Sequence, residues 1–357
     1  MTVQAATQVS KVSKAPDQAL APFVTVIVPA FNEERHVEQT LRGLLAQDYP
    51  QDRYEILVAD GGSTDGTVRL VENLGKQHDR IRVVSNPARL SSGARNVGFR
   101  QGRGDFFIVV DAHCRVENTK LLAEMVEAFE RTGAFAMGRP QPLLTGGNGA
   151  VERAIVLARS SPLGHSVQSD IYSDRQKSGS IVSTGAMYRR EVLDRVGEVD
   201  ERFDACEDVE FNYRIERAGL KTHFAPELAV HYFGRGTLGG LFRQMVRYGR
   251  GRCRFLRKHP EAASIETFVP PAFVVALLSA PFAVAMGPNW LAGAFGFLLA
   301  AYVAVVVASS ISVGVRSKDW AAALRLPLVY PTIHVGLGLG FLRGVFERRE
   351  QRGEGRK

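Results

Sequence analysis

Val24-Thr25-Val26-Ile27-Val28-Pro29-Ala30-Phe31-Asn32-Glu33-Glu34 joins a short β-branched run to a polar turn. Residues 24–29 lack strict apolar–polar alternation, which suits a strand covered on both faces. Asn32-Glu33-Glu34 then opens a helix whose apolar positions Val37, Leu41, Leu44 and Leu45 recur at helical spacing. Outward from this unit, residues 54–59 give a second strand. It leads into Asp60-Gly61-Gly62-Ser63-Thr64-Asp65-Gly66-Thr67 and a helix to about Gly75, with Thr64 or Asp65 as its cap. Residues 81–85 and 106–110 supply two more strands, separated by a helix over 94–101. This alternation predicts an α/β fold with a mostly parallel central sheet. Ligands of such sheets sit at the carboxyl ends of the strands, where residues 29–33, 60–65 and 111–113 all fall.

The chain has 357 residues, 45% of them hydrophobic, more than one average domain needs. Its apolar residues are unevenly placed: the first 260 residues read as a soluble α/β chain, whereas 268–345 is almost free of charge apart from a central loop. The net charge of +8 is concentrated in Arg243, Arg247, Arg250, Arg252, Arg254, Arg257 and Lys258, just before the apolar region, and in a basic tail. Such clusters favour an anionic membrane leaflet. No nucleic-acid-binding module is present, so nucleic acid is not an expected partner. Cys114, Cys206 and Cys253 form no Cys-x-x-Cys pair, and neither a disulfide framework nor a zinc site follows. Residues 1–22 read as a flexible lead-in without the apolar core of a signal peptide.

Residues 268–286 and 290–313 are each long enough to cross a hydrocarbon core, with Gly287-Pro288-Asn289 as the hairpin between them. Residues 326–342 form a third candidate span, interrupted by Pro327, Pro331, His334 and the Gly336, Gly338, Gly340 series. The positive-inside rule places both the loop carrying Arg316, Lys318 and Arg325 and the tail of residues 346–357 in the cytosol. A simple third crossing cannot satisfy both. The expected organisation is a catalytic domain over 23–240, a basic interfacial segment over 241–267, a multi-pass region over 268–345 and the basic tail. The catalytic part is expected on the cytosolic side of the plasma membrane.

Residues 108–114, Ile-Val-Val-Asp-Ala-His-Cys, end an apolar run on a carboxylate and an imidazole two positions apart. A strand delivering Asp111 and His113 on one face would offer one O and one N ligand to Mg²⁺ or Mn²⁺, with the imidazole favouring Mn²⁺. Asp60 at a strand end could accept a hydrogen bond from a nucleobase N–H, with Gly61 and Gly62 permitting close approach. Pro29, Phe31 and Glu33 would line the other side of base and ribose. Each stretch also has a purely structural reading, as a turn or a helix start.

Together, V-T-V-I-V-P-A-F-N-E-E, A-D-G-G-S-T-D-G-T, V-V-D-A-H, E-D-V-E and R-Q-M-V-R-Y resemble the family-2 glycosyltransferases of the GT-A fold over residues 23–250. The D-A-H form and the basic run after Tyr248 look most like the succinoglycan-type bacterial membrane glucosyltransferases. The resemblance implies a membrane-bound inverting transferase that uses a divalent metal. It would move a sugar from a nucleotide-sugar donor, a UDP-sugar being expected, to a hydroxyl of a lipid-linked, polyprenyl-type saccharide. Asp208 would be the catalytic base, its pKa raised by Glu207. Arg89, Gly93 and Asn96 match family positions that contact the nucleotide, and His231 matches a late histidine that is a metal ligand in some members. Thr184, Gly185 and Ala186 resemble the acceptor-side loop. Arg243, Gln244 and Arg247 align imperfectly with Q-x-x-R-W and would contact acceptor or diphosphate. The family's usual metal motif is Asp-x-Asp, so His113 is a departure. A polyprenyl-phosphate sugar synthase is the alternative enzyme, and a membrane-anchored nucleotide-sugar sensor the alternative without catalysis.

Overall fold

The run that opens the chain's ordered part is β1 (Val24–Ala30), buried at every position but Pro29. It lies between α1 (Val37–Leu45) and the elements that follow. In a computed structural model, which describes residues 21–166, 169, 171, 172 and 180–347, the order continues with β2 (Tyr54–Asp60), α2 (Thr67–Gly75), β3 (Ile81–Ser85), α3 (Ser91–Gln101) and β4 (Phe106–Val109). Next come β5 (Cys114–Arg115), α4 (Leu121–Thr132), β6 (Ala136–Gly138), β7 (Leu143–Leu144), α5 (Ala150–Arg159), β8 (Gly185–Arg189), α6 (Glu191–Val196) and α7 (Glu207–Arg217). β9 (Thr222–Phe224), β10 (His231–Phe233) and five helices complete the described chain: α8 (Leu238–Lys258), α9 (Ile265–Met286), α10 (Asn289–Ser317), α11 (Trp320–Ala323) and α12 (Leu326–Phe346). Most of the leader and of the basic tail, residues 1–20 and 348–357, lies outside the described residues.

Seven strands form one sheet in the order β3-β2-β1-β4-β8-β6-β9. β3, β2, β1 and β4 are mutually parallel, β8 runs antiparallel to both β4 and β6, and β9 is parallel to β6. The sheet is therefore mostly parallel and covered on both faces. Val24, Val26 and Val28 enter the core with α1 and α4, whereas Ile27 points to the core shared by Phe99, Tyr188 and Phe211. A β-carbon on Gly98 of α3 would lie 2.5 Å from Ile27, so only glycine lets this helix seat on β1. A second sheet, β5-β10-β7, stands beside the first.

α9 and α10 leave the soluble core as a hairpin and expose large apolar side chains such as Leu278, Phe282, Trp290 and Phe297. Both exceed the length of a hydrocarbon core, α10 reaching about 43 Å at 1.5 Å per residue. α12 is also apolar and long enough to cross, but it is packed differently. Its Gly336, Gly340 and Gly344, one turn apart, seat directly on Met245, Val246 and Cys253 of α8. A β-carbon on Gly340 would lie 2.1 Å from the Val246 carbonyl oxygen, and one on Gly249 2.1 Å from that of Leu337. Gly340→Leu is expected to destabilise the protein by about 3 kcal/mol, the upper part of the overpacking range, because a backbone carbonyl cannot move aside. A thermal-denaturation midpoint in detergent checks this, and an unchanged midpoint would contradict the close crossing.

Both ends of α12 are tied to the soluble domain. At the start, Asp319 caps α11 and pairs with Arg153 of α5, Nε to Oδ2 2.5 Å. At the end, Glu347 pairs with Arg250 and Arg254 of α8, which also hold Asp204 just before α7. Leu326, Val329, Tyr330 and Ile333 complete a core with Ala154, Ile155 and Ala158 of α5 and Leu241 and Met245 of α8.

Candidate active site

The carboxyl ends of the parallel strands open into a cavity of about 1220 Å³. Pro29 near the end of β1 and Phe31 and Glu33 after it line the cavity, as do Gly61 after β2 and Arg89 before α3; Asp111, His113, Glu207 and Asp208 also face it. Phe31 is 52% exposed, a large apolar ring left bare at the rim.

Asp111, Ala112 and His113 form a turn after β4, not the strand continuation expected from alternation. The chain must leave the large sheet here so that Cys114 and Arg115 can pair with β10. The Thr40 hydroxyl of α1 lies 2.8 Å from the Ala112 carbonyl and 2.7 Å from that of Cys114, which fixes the turn. His113 Nδ1 is 2.8 Å from Glu33 Oε1, while its Nε2 is buried without a hydrogen-bond partner. A carboxylate on one ring nitrogen selects the tautomer whose other nitrogen carries a lone pair, the usual support for a metal-ligating imidazole. With Asp111 on the same wall, this pair could supply one oxygen and one nitrogen ligand to a divalent cation, which would leave its other positions to ligands from outside the protein.

His231 does not join them. It sits on β10 beside Glu117, Nδ1 to Oε2 3.3 Å, and is absent from the cavity wall. Side chains alternate along a strand, so the next residue, Tyr232, turns inward and sets its ring 4.6 Å from that of His113. Among the described residues no group of three or more His, Cys, Asp or Glu side chains is poised around a metal position.

Glu33, expected against base or ribose, lines the cavity and also holds His113 through its Nδ1. Asp60 lies at the end of β2, where its Oδ2 accepts from the backbone N–H groups of Gly62 and Ser63 at 2.9 and 3.1 Å. It closes the turn and is not on the cavity wall; Gly62 is not on the wall either, but lies against the Arg89 guanidinium. Gly93 and Asn96 depart further from the expectation of a nucleotide contact. A β-carbon on Gly93 would meet Ala88 at 2.5 Å, and the Asn96 amide donates to the Val199 carbonyl and to Glu201 while its oxygen accepts from Val199 N–H. Both pin α3 to its surroundings.

Glu207 and Asp208 begin α7, where the helix dipole favours acids. Buried Arg95 of α3 lies 3.7 Å from Glu207. Burial opposes its charge, but Tyr188, Glu207, Asp208 and Asp111 together hold its pKa above the ordinary arginine value. One guanidinium thus lets three carboxylates share a cavity. Burial, and next the Glu207 charge, push the Asp208 pKa up to about 6 against the opposing pull of Arg95. A smaller cavity of about 40 Å³ joins Asp208 and Asp111 to Thr184, Gly185 and Ala186. The Thr184 hydroxyl there is buried and unpartnered, whereas Gly185 is required by Asn212, 2.5 Å from where a β-carbon would stand.

On α8, Gln244 and Arg247 line the large cavity; Arg243 is exposed and does not. Arg95, Tyr232, Arg159 and His165 are site residues that the motifs did not reveal. Arg95 and Arg159 carried a signal, since each is a cation on a helix face otherwise filled by small or apolar residues, next to Phe99 and Ile155 at i±4.

A mostly parallel sheet whose ligand edge opens on one cleft, with a carboxylate–imidazole pair and a second carboxylate along it, is an arrangement of the GT-A type. Residues 25–197 match the family "Glycosyl transferase family 2", and the protein is a glycosyltransferase. It is 26% identical over 339 residues to a dolichyl N-acetyl-alpha-D-glucosaminyl phosphate 3-beta-D-2,3-diacetamido-2,3-dideoxy-beta-D-glucuronosyltransferase of Methanococcus voltae, covering 91% of this chain and 98% of that one. It is 28% identical to the succinoglycan biosynthesis protein ExoA of Rhizobium meliloti over 77% of this chain and 82% of that one. The fold is that of the mannosyltransferase PcManGT from Pyrobaculum calidifontis, solved with GDP-Man and Mn²⁺, at a TM-score of 0.56 and 21% identity, covering 93% and 89% of the two chains.

Proposed function

We propose that the protein transfers a sugar, with inversion, from a nucleotide-sugar donor to a hydroxyl of a lipid-linked saccharide at the cytosolic face of the plasma membrane. The observation that carries this reading is that a single cavity holds Asp111, His113 and Asp208 at one end and residues of α9, α10 and α12 at the other. The relatives in Methanococcus and Rhizobium support a lipid-linked acceptor and polysaccharide synthesis by their names. A UDP-sugar is the donor proposed.

In this reading the nucleoside lies against Pro29 and Phe31, with Arg89 near its phosphates. Asp208 takes the proton of the acceptor hydroxyl as that oxygen attacks the anomeric carbon and the bond to the diphosphate breaks. Asp111 and His113, the latter held by Glu33, would hold a divalent cation, and its charge would offset that of the leaving diphosphate. Arg95 keeps Glu207 and Asp208 in place without occupying either fully. The test is a panel of radiolabelled nucleotide sugars with native membranes, in Mn²⁺ or EDTA. Metal-dependent incorporation into a lipid fraction supports the proposal; donor binding without transfer, in membranes of known lipid-linked acceptor content, would replace it with a sensor.

The same reading sets the topology. α9 and α10 cross the membrane, whereas α12 lies at the interface beside basic α8, because Asp319 and Glu347 fasten its two ends to one soluble domain. A helix of 21 residues, about 31 Å long, cannot cross a bilayer with both ends on the same side. This departs from the third crossing expected from the sequence, and it reconciles the charge rule, since the loop with Arg316, Lys318 and Arg325 and the tail share the cytosolic side. A tag after residue 357 is expected to be protected from external protease in intact cells and accessible after lysis. External accessibility would restore a third crossing.

A further inference from the structure

Between the carboxylates and the apolar helices the cavity wall changes character. Arg159, at the end of α5, is only 6% exposed. Its guanidinium donates to Gln244 Oε1 at 3.3 Å and to the Tyr172 hydroxyl, and lies over the rings of Tyr172 and Tyr248 at 5.2 and 5.9 Å. None of these partners carries a negative charge at neutral pH. Among the described residues, no carboxylate lies within ion-pair distance of Arg159 or of Arg252, which lines the same wall. His165 faces the same space with its Nε2 buried and unpartnered. Burial, and then the charges of Arg159 and Arg252, push its pKa down to about 3, so it stays a neutral imidazole able to donate from Nε2.

A buried guanidinium without a counter-ion is costly unless a ligand supplies the anion. What that ligand carries next is set by the neighbouring wall, where Phe273, Tyr302, Ile333, Leu337 and Phe341 continue the cavity into the helical hairpin and α12. An anionic head followed by an apolar tail matches this order of surfaces. Asp111 and His113, the pair suited to the donor's diphosphate, belong to the strand ends and not to this wall.

We infer that Arg159, Arg252 and His165 hold the phosphate of the lipid-linked acceptor, whose hydrocarbon chain runs out between α9, α10 and α12. This rests on the proposed lipid-linked acceptor and adds the residues that recognise its phosphate. The site positions the acceptor sugar towards Asp208 while the chain remains in the membrane.

The test is equilibrium binding to the full chain in nanodiscs, without donor turnover, using undecaprenyl diphosphate, undecaprenol and UDP as separate probes. Arg159→Gln and Arg252→Gln are each expected to weaken undecaprenyl diphosphate binding by about ten- to a hundredfold, the loss of a hydrogen bond to a charged group, and to leave UDP binding within about twofold. Wild-type protein is expected to hold the diphosphate far more tightly than undecaprenol. Parallel loss of UDP binding would move these arginines to the donor side and overturn the inference, as would unchanged lipid binding or equal retention of undecaprenol. Arg252 is exposed on α8, so Arg252→Gln decides the matter if Arg159→Gln fails to fold. Lipid binding with no sugar transfer in the radiolabel assay would leave this site standing and remove only the transferase reading.

Discussion

Asp208→Asn is expected to lower kcat by about 10²–10⁴-fold, the range for removing a general base, while leaving donor affinity nearly unchanged. Asparagine keeps the shape and the helix start but cannot accept the proton. The wild-type pH profile carries the same signature. A base works only when ionised, so a pKa raised to about 6 moves the acid limb of kcat/KM up from the ordinary carboxylate range, and activity falls as pH drops through that value. Removing the neighbouring charge by Glu207→Gln lowers the Asp208 pKa and shifts the limb to lower pH. Steady-state rates of the two variants across pH check both statements. Near-normal kcat in Asp208→Asn would instead indicate an acceptor that is already ionised, such as a lipid phosphate, and favour the polyprenyl-phosphate sugar synthase.

His113→Ala is expected to weaken Mn²⁺-dependent donor binding and transfer severely, because it removes the cavity-lining imidazole whose Nε2 is buried and unpartnered. Glu33→Gln is the finer probe. It leaves the imidazole in place but weakens its partner at Nδ1, with an expected loss of about 10–100-fold in metal affinity. Titration of Mn²⁺ against donor binding, followed by electron paramagnetic resonance of the free ion, separates the two variants from wild type. A Glu33→Gln protein with wild-type metal affinity would return Glu33 to a contact with base or ribose.

The sheet and its ligand edge were legible because the first four strands are short β-branched runs separated by helices of regular period, and such runs specify their own burial. What the sequence hid arose where the chain changes direction. Residues 108–114 read as a strand carrying Asp111 and His113 on one face, yet β4 stops at Val109 and the two side chains reach the cavity from a turn. His231 was misplaced for a related reason. A histidine next to an apolar stretch says nothing of strand phase, and one residue of phase exchanges His231 for Tyr232. Gly93 and Asn96 resemble nucleotide-contacting positions but are occupied by packing and by the Val199 backbone, a tertiary demand that no local pattern announces. The third apolar segment looked like a span by composition. Its glycine stripe and the ion pairs at its two ends, made with residues far away in sequence, seat it closely on α8, a packing that apolar composition does not announce.

The central claim is that an acceptor hydroxyl, deprotonated by Asp208, displaces the diphosphate directly across one cavity. The stereochemistry of the new glycosidic bond tests it most directly, by nuclear magnetic resonance of the glycolipid formed from a donor of known anomeric configuration. Direct displacement predicts a product of inverted configuration, made by wild type and lost in Asp208→Asn. A product with retained configuration would contradict the account, because it requires a covalent intermediate or a same-face path in which Asp208 does not act as the base.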